Sequence, residues 1–386
     1  MDLVVLVWAE HQRVNMIRHN VNVRPDWLEK CEAVGFHFPT VEGQTYWDET
    51  HCYQFTEQQI DNIDDITTEL HQMTIEATKS IIVDGDYEKY HIPLEFAPMI
   101  EHSWYKGEKP LYGRMDLCYT PSREFKLLEY NADTPTSLLE ASIVQWDWLV
   151  DMFPEADQFN SIHEKLIARW NEVVGNNLVY FSCLKDNQED INTTEYLMRT
   201  AEEAGLPVEW IYVDDVGYNK FTKRFVDLQD YPIEKLFKLY PSEWMLDEEF
   251  AQHIVGAQTQ FIEPIWKVIT SSKTLLVKLW EMFPNHPNLL ATYFERYQLS
   301  NYVRKPIFSR EGANILISAN GDTMFTDGDY GQVPFVYQDY CPLPKFGDSY
   351  TLIGSWVIGD QAAGIGIRED STLITRNTSR FIPHYF

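Results

Sequence analysis

Two runs rich in β-forming residues, Tyr112-Gly-Arg-Met-Asp116-Leu-Cys-Tyr119 and Phe125-Lys-Leu-Leu-Glu129-Tyr-Asn131-Ala-Asp133, flank a turn signal at Pro121-Ser122-Arg123. They predict an antiparallel hairpin. Before it, Gln54 to Val83 carries apolar residues at helical spacing, which predicts a long amphipathic helix with Leu70 and Met73 on its inner face. After it, Ser137-Leu-Leu-Glu140 has the form of a capping box and predicts an apolar helix to about Phe153. Helix and strand patterns then alternate over Ile162–Val174, Asn177–Cys183, Thr193–Ala204 and Val208–Val213, an α/β arrangement with a largely buried sheet. Residues 250–298 read as mostly helical. From Tyr302 onward strands dominate, over 302–307, 313–317, 335–338, 350–358 and 362–367. The change of texture near 300 marks a second structural unit.

The polar positions of the hairpin suggest chemistry. A turn centred on Ser122 and Arg123 sets Asp116 opposite Glu129 and Arg114 opposite Asn131, and alternation puts all four on one face. Two carboxylates and an amide oxygen form a hard oxygen site suited to Mg²⁺, which usually also takes substrate phosphates, and Arg114 is placed to grip a phosphate. A surface hairpin with alternating polar residues has the same pattern. In Lys305-Pro-Ile-Phe-Ser-Arg-Glu-Gly312-Ala-Asn314 a lysine ends a strand, and Gly312 lets the following loop approach a ligand. An ordinary hairpin turn reads alike. Arg368 ends the glycine-bearing strand Gly364-Ile-Gly-Ile-Arg368 and could meet charge on a transferred phosphoryl group; equally, its glycines could serve packing alone. Phe283-Pro-Asn-His286-Pro-Asn-Leu reads as a structural turn.

With 31 basic against 59 acidic residues the net charge is −28, which excludes nucleic acid and anionic membrane as expected partners. The excess fits a cationic substrate such as a polyamine, and an acidic surface explains it as well. Five scattered cysteines, with no CxxC pair, argue against a zinc site or disulfide framework and for a reducing cytoplasm. The apolar run Leu3–Trp8 is too short for a signal peptide or a membrane span.

Taken together, five segments resemble the synthetase domain of the glutathionylspermidine synthase family of ATP-grasp ligases, and above all its stand-alone acid–amine ligases. These are Tyr112–Asp116, Leu128–Thr136, Phe283–Leu289, Lys305–Gly312 and Gly364–Asp370, in the family's order, within a likeness running from about residue 20 to the end. The resemblance implies an α/β (α+β) fold. Its expected parts are an extension over 1–19, a pre-ATP-grasp α/β region binding metal and substrate over 20–260, and a mainly antiparallel β nucleotide-binding region over 261–386. By the same resemblance Asp116, Glu129 and Asn131 are the Mg²⁺ ligands, and Arg114 lies at the phosphates of ATP. Lys273 and Lys305 hold ATP under a flexible loop containing Gly312. Tyr337 and Gln338 lie at the adenine, and Leu373, Ile374 and Thr375 touch the nucleotide. Arg368 stabilises the transferring phosphoryl group. Thr134 and Thr136 replace serines that touch the peptide in the glutathione-specific enzyme, which puts glutathione in doubt; Glu189 and Asp190 fall near acidic substrate-binding positions. The implied reaction joins a small carboxylate, such as that of a peptide, to an amine through an acyl phosphate, with ADP and phosphate as products. No amidase domain is carried over. The rival readings are a catalytically silent nucleotide-binding regulator and a non-catalytic polyamine binder.

Overall fold

The computed structural model describes residues 16–41 and 43–386, so the Leu3–Trp8 run lies outside the described residues. Its centre is a six-stranded antiparallel sheet in the order Arg380–Ile382, Gln361–Asp370, Ser349–Ile358, Tyr112–Tyr119 and Phe125–Asn131, with Lys345–Phe346 paired to Ser349–Ile358. The central strands therefore come from both sides of residue 260.

Period-two alternation decides how this sheet is covered. Met115 and Leu117 point to one face and pack against Ile63, Leu70 and Met73 of the helix Glu57–Asp84. That helix starts at a capping box formed by Thr56 and Gln59 and stops at Gly85, whose φ is 70°. The opposite face carries Tyr112 and Trp356, which join Leu139, Trp148, Leu166, Trp170 and Phe237 in a second core. Beyond it lies a four-stranded parallel sheet, Gln260–Ile262, Lys235–Leu239, Val179–Cys183 and Val208–Trp210. The fold is thus mixed α/β, and a small third sheet is itself mixed, with His51–Gln54 antiparallel to Ile17–Asn20 and parallel to His384–Tyr385. A five-stranded antiparallel sheet, Thr292–Tyr293, Phe335–Asp339, Tyr302–Pro306, Leu316–Ala319 and Asp322–Phe325, forms a lid beside the central one. Among the described residues no helix is long and apolar enough to cross a membrane.

Three expectations are corrected. The extension expected over 1–19 does not include its last residues, because Ile17–Asn20 is a strand paired with His51–Gln54. Residues 250–298 are less helical than expected: Gln260–Ile262 is a buried strand too short for its period to show. The helix expected after Ser137 does open at Leu138, with the Ser137 carbonyl accepting from the Ala141 N–H at 3.3 Å, but Ser137 and Glu140 form no capping box. The φ of Ser137 is 68°, its hydroxyl lies 3.1 Å from the Tyr46 hydroxyl, and the Glu140 carboxylate accepts from Tyr46 at 2.7 Å. Buried polar groups must be partnered, and here side chains satisfy each other rather than the helix end.

Candidate active site

The hairpin gives the expected pairs by a route the sequence does not suggest. Its loop runs from Thr120 to Glu124, with Tyr119 opposite Phe125, one residue out of step with a turn on Ser122 and Arg123. A β-bulge between Asp116 and Leu117 restores the count, so Arg114 faces Asn131 and Asp116 faces Glu129. The extra residue is Leu128: Leu127 packs against the long helix, whereas Leu128 and Glu129 both line the cavity.

On that face Arg114 Nε donates to Asp116 Oδ1 at 2.7 Å and Nη2 to Oδ2 at 3.2 Å. Asn131 Nδ2 lies 3.2 Å from both Asp116 Oδ2 and Glu129 Oε1. Gly354, opposite Asp116, gives Arg114 room, since a Cβ there would sit 2.8 Å from Arg114 Cδ.

The lid and the start of the helix Thr274–Met282 bring cations to this cluster. Lys273 Nζ is 3.5 Å from Glu129 Oε2 and donates to the Ser309 carbonyl at 3.0 Å. Lys305 Nζ donates to the Leu128 carbonyl at 2.7 Å and to Gln338 Oε1 at 2.8 Å, and Gln338 Nε2 donates to the Leu127 carbonyl at 3.2 Å. The bulged edge strand is thereby tied to two strands of the lid. Burial pushes Lys305 down to about 8, with Glu129 opposing and Lys273 adding to the shift. Burial also pushes Glu129 upward, but Lys273 and Lys305 outweigh it and hold that carboxyl below its usual value.

Arg368 reaches the same cavity from the strand Gln361–Asp370. Its Nη1 donates to Ser137 Oγ at 3.1 Å and its Nε to the Ser379 carbonyl at 3.1 Å, and its guanidinium lies 5.2 Å from the centre of the Tyr46 ring. Gly312, at φ 71°, lets the loop between two lid strands sit on residues 374–375; a Cβ there would come within 2.6 Å of Ile374 Cγ2 and 2.7 Å of the Thr375 carbonyl oxygen.

The cavity enclosed by these groups has a volume of about 880 Å³. Arg114, Asp116, Glu129, Asn131, Thr134, Thr136, Glu189, Lys273, Lys305, Gly312, Gln338, Arg368, Leu373, Ile374 and Thr375 all line it. Tyr337 does not: it alternates away from Gln338 and meets Tyr302 edge to face, with ring centres 5.5 Å apart. The Phe283–Leu289 segment serves structure, as Asn288 exchanges hydrogen bonds with the backbone of Phe125 and Leu127 along the hairpin's outer edge.

Arg310 and a cluster of carboxylates complete the cavity. Arg310 donates to Thr134 Oγ1 at 2.5 Å and lies over the Trp244 ring. Asp190 joins Glu189, Glu243 and Glu311 to make one side strongly acidic. Burial first, and then the Glu189 charge, push Asp190 up to about 7 and Glu140 likewise to about 7. Glu189 and Asp190, in the first turn of the helix Gln188–Glu203, are the pair expected near acidic substrate-binding positions; Glu243, Glu311 and Arg310 are not expected from the sequence.

A metal fits the hairpin. Asp116 and Glu129 offer carboxylate oxygens that both lie 3.2 Å from Asn131 Nδ2, and turning that amide over would bring its oxygen to the same point, the donor type Mg²⁺ prefers. Among the described residues no three His, Cys, Asp or Glu side chains cluster to form a metal cage, so phosphate oxygens and water would complete the shell.

The family model described as glutathionylspermidine synthase preATP-grasp matches residues 18–386. The chain belongs to this family. A Haemophilus influenzae protein provisionally named an acid–amine ligase is 45% identical over 383 residues, which cover 94% of this chain and 97% of that one. The trypanothione synthetase of Crithidia fasciculata is 28% identical, over 81% of this chain and 53% of its own length. The bifunctional glutathionylspermidine synthetase/amidase of Escherichia coli is 25% identical, over 92% of this chain and 63% of its own length. The chain therefore spans little more than half to about two thirds of these last two. As a member of the glutathionylspermidine synthase family, it is a carbon–nitrogen ligase. The segments that carry the resemblance to this family and hold Arg114, Glu129, Lys305 and Arg368 all reach the cavity described above.

Proposed function

We propose that this ligase activates a small carboxylate with ATP and joins it to a cationic amine. One observation carries the reading: Asp116 and Glu129, from the first third of the chain, share a cavity with Lys273, Lys305 and Arg368, from the last. Phosphoryl transfer needs positioning and charge neutralisation more than a protein nucleophile, and this cavity offers a dense cationic wall. Lys273 and Lys305 hold the polyphosphate, and Gln338 lies beside the adenine against Val303, Ile315 and Leu352. Mg²⁺, held by Asp116, Glu129 and Asn131, would neutralise charge on the phosphates when bound. The acid's carboxylate attacks the γ-phosphorus and ADP leaves. Arg368, fixed by Ser137 and the Ser379 carbonyl, faces the charge that develops on the transferred group. Seating of the Gly312 loop excludes water from the resulting acyl phosphate. The amine then attacks the acyl carbon and phosphate departs.

Glu189, Asp190, Glu243 and Glu311 surround the remaining space, so a peptide carboxylate and an amine with more than one positive charge are the substrate classes proposed. Asp190, titrating near neutrality, is suited to accept the proton that the amine must lose. Free thiols at all five cysteines accord with a cytoplasmic setting.

The test is ADP release by the purified chain with Mg·ATP, small peptides and polyamines. Release that requires both an acid and an amine is expected. Nucleotide binding without release under any pairing would favour the silent regulator, and spermidine retention in equilibrium dialysis that ignores Mg·ATP would favour the polyamine binder.

A further inference from the structure

Cys118 and Cys341 are the cysteines that the fold brings together. Cys118 lies in the central strand Tyr112–Tyr119 and is fully buried; Cys341 follows the lid strand Phe335–Asp339 and is half-buried in the cavity wall. Their sulfurs are 3.3 Å apart although 223 residues separate them in the chain. Cys118 Sγ is also 3.3 Å from the Pro342 carbonyl oxygen. Leu343 and Leu352, with Leu128 and Leu373 beside them, enclose the two sulfurs, and these leucines also line the cavity's apolar end. Cys31, Cys52 and Cys183 are buried, with no sulfur partner among the described residues.

We propose that Cys118 and Cys341 are a redox-active pair, which low-molecular-weight disulfides convert into an intramolecular disulfide in the wall of the cavity's apolar end. That this end takes the nucleotide is the reading proposed above; the bond between the sulfurs does not depend on it. Cys341 is the entering sulfur, because it alone of the two reaches the cavity. Contact with Cys118, whose S–H can turn toward it, and the Lys126 and Lys305 charges favour its thiolate against burial and the Asp339 charge. The thiolate attacks one sulfur of an external disulfide RSSR, forming Cys341–S–S–R and releasing one RS⁻. Cys118, losing its proton as it attacks, displaces the second RS⁻ from Cys341. Two cysteine thiols are oxidised, one disulfide is reduced to two thiols, and the two cysteine protons pass to those products. The sulfurs must close by roughly 1.2 Å to reach bonding distance. That movement draws Cys341 out of the cavity wall and tethers the lid to the central sheet, so nucleotide affinity falls several-fold and a dithiol restores it.

The experiment treats the reduced, folded chain with oxidised glutathione, with and without Mg·ATP, and follows intact mass and peptide linkage. The expected product has lost two hydrogens, carries no glutathionyl group, joins the peptides containing Cys118 and Cys341, and reverts with dithiothreitol. Cys341→Ser should abolish it, and Mg·ATP should slow its formation. A lasting glutathionyl adduct, a bond between any other pair, or no reaction in the folded chain when the unfolded chain reacts would overturn the proposal. A disulfide forming at one rate with or without Mg·ATP supports the pair and removes the nucleotide from that end of the cavity.

Discussion

Charge at single side chains controls what this cavity can do. Asp116 is held by Arg114 and the Asn131 amide, and exchanging it for Asn preserves its shape while removing its charge. Asp116→Asn should lower kcat by about 10²–10³-fold while the unfolding midpoint stays near that of the parent. Steady-state ADP release and a thermal melt read the two together. Arg368→Ala should lower kcat more than it raises the KM for ATP, because its partners aim it at developing charge rather than at the ground state. Asp190 gives a pH signature. With its pKa pushed up to about 7, it is neutral below that pH and attracts a cationic amine only above it. The amine KM should therefore rise as pH falls through about 7, and Asp190→Asn should flatten that profile. The same raised pKa costs the fold stability as pH rises from the ordinary carboxyl range to about 7, so this variant should melt higher than the parent at pH 8. Strand alternation puts Glu129 beside Asn131 and Arg114 beside Asp116 in the sequence, but their meeting across the hairpin follows the expected pairs only because the loop slip and the bulge cancel. The elevation of Asp190 was not legible, because it depends on burial and on Glu189, which a linear pattern does not reveal.

At the scale of elements, the hairpin shows how a right outcome can follow from a wrong turn. Its five-residue loop, with Arg123 at φ 66°, slips the pairing by one, and the bulge at Leu128 slips it back. Nothing in Leu127-Leu128 announces a bulge, since both residues suit either face. Inserting an alanine between Leu128 and Glu129 should turn Glu129 and Asn131 away from Asp116 and abolish ADP release, a loss that excess Mg²⁺ cannot repair. The mistaken cap at Ser137 has a similar cause: Ser-x-x-Glu satisfies the capping rule, but Tyr46 and Arg368, distant in sequence, claim those side chains. The Gly312 loop is more direct. Gly312→Val would press a side chain into Ile374 and into backbone at Thr375, in a left-handed conformation that β-branched residues resist. Turnover should fall at least about tenfold, with circular dichroism unchanged, as expected of a loop that must seat before chemistry.

Across the whole molecule, the lid and the central sheet meet through a few polar links, notably Lys305 to Leu128 and Gln338 to Leu127. A nucleotide lying between them should strengthen that junction. Mg·ATP at a hundredfold excess over its Kd should add about 2.7 kcal/mol to stability, visible as a raised melting temperature and slower hydrogen exchange over residues 302–339. Alternating helix and strand signals made the mixed α/β class legible, and the burst of strands after 302 made the lid legible. The partnership of the 112–131 hairpin with the strands at 349–382 was not, because pairing between remote segments leaves no local trace. That partnership also dictates a schedule on the ribosome. The hairpin emerges early, yet the strand that covers its inner edge is among the last to be made. Through most of synthesis an aggregation-prone edge stands open, so yield in cells should depend on chaperones and on slow, cool expression more than the finished protein's stability would suggest.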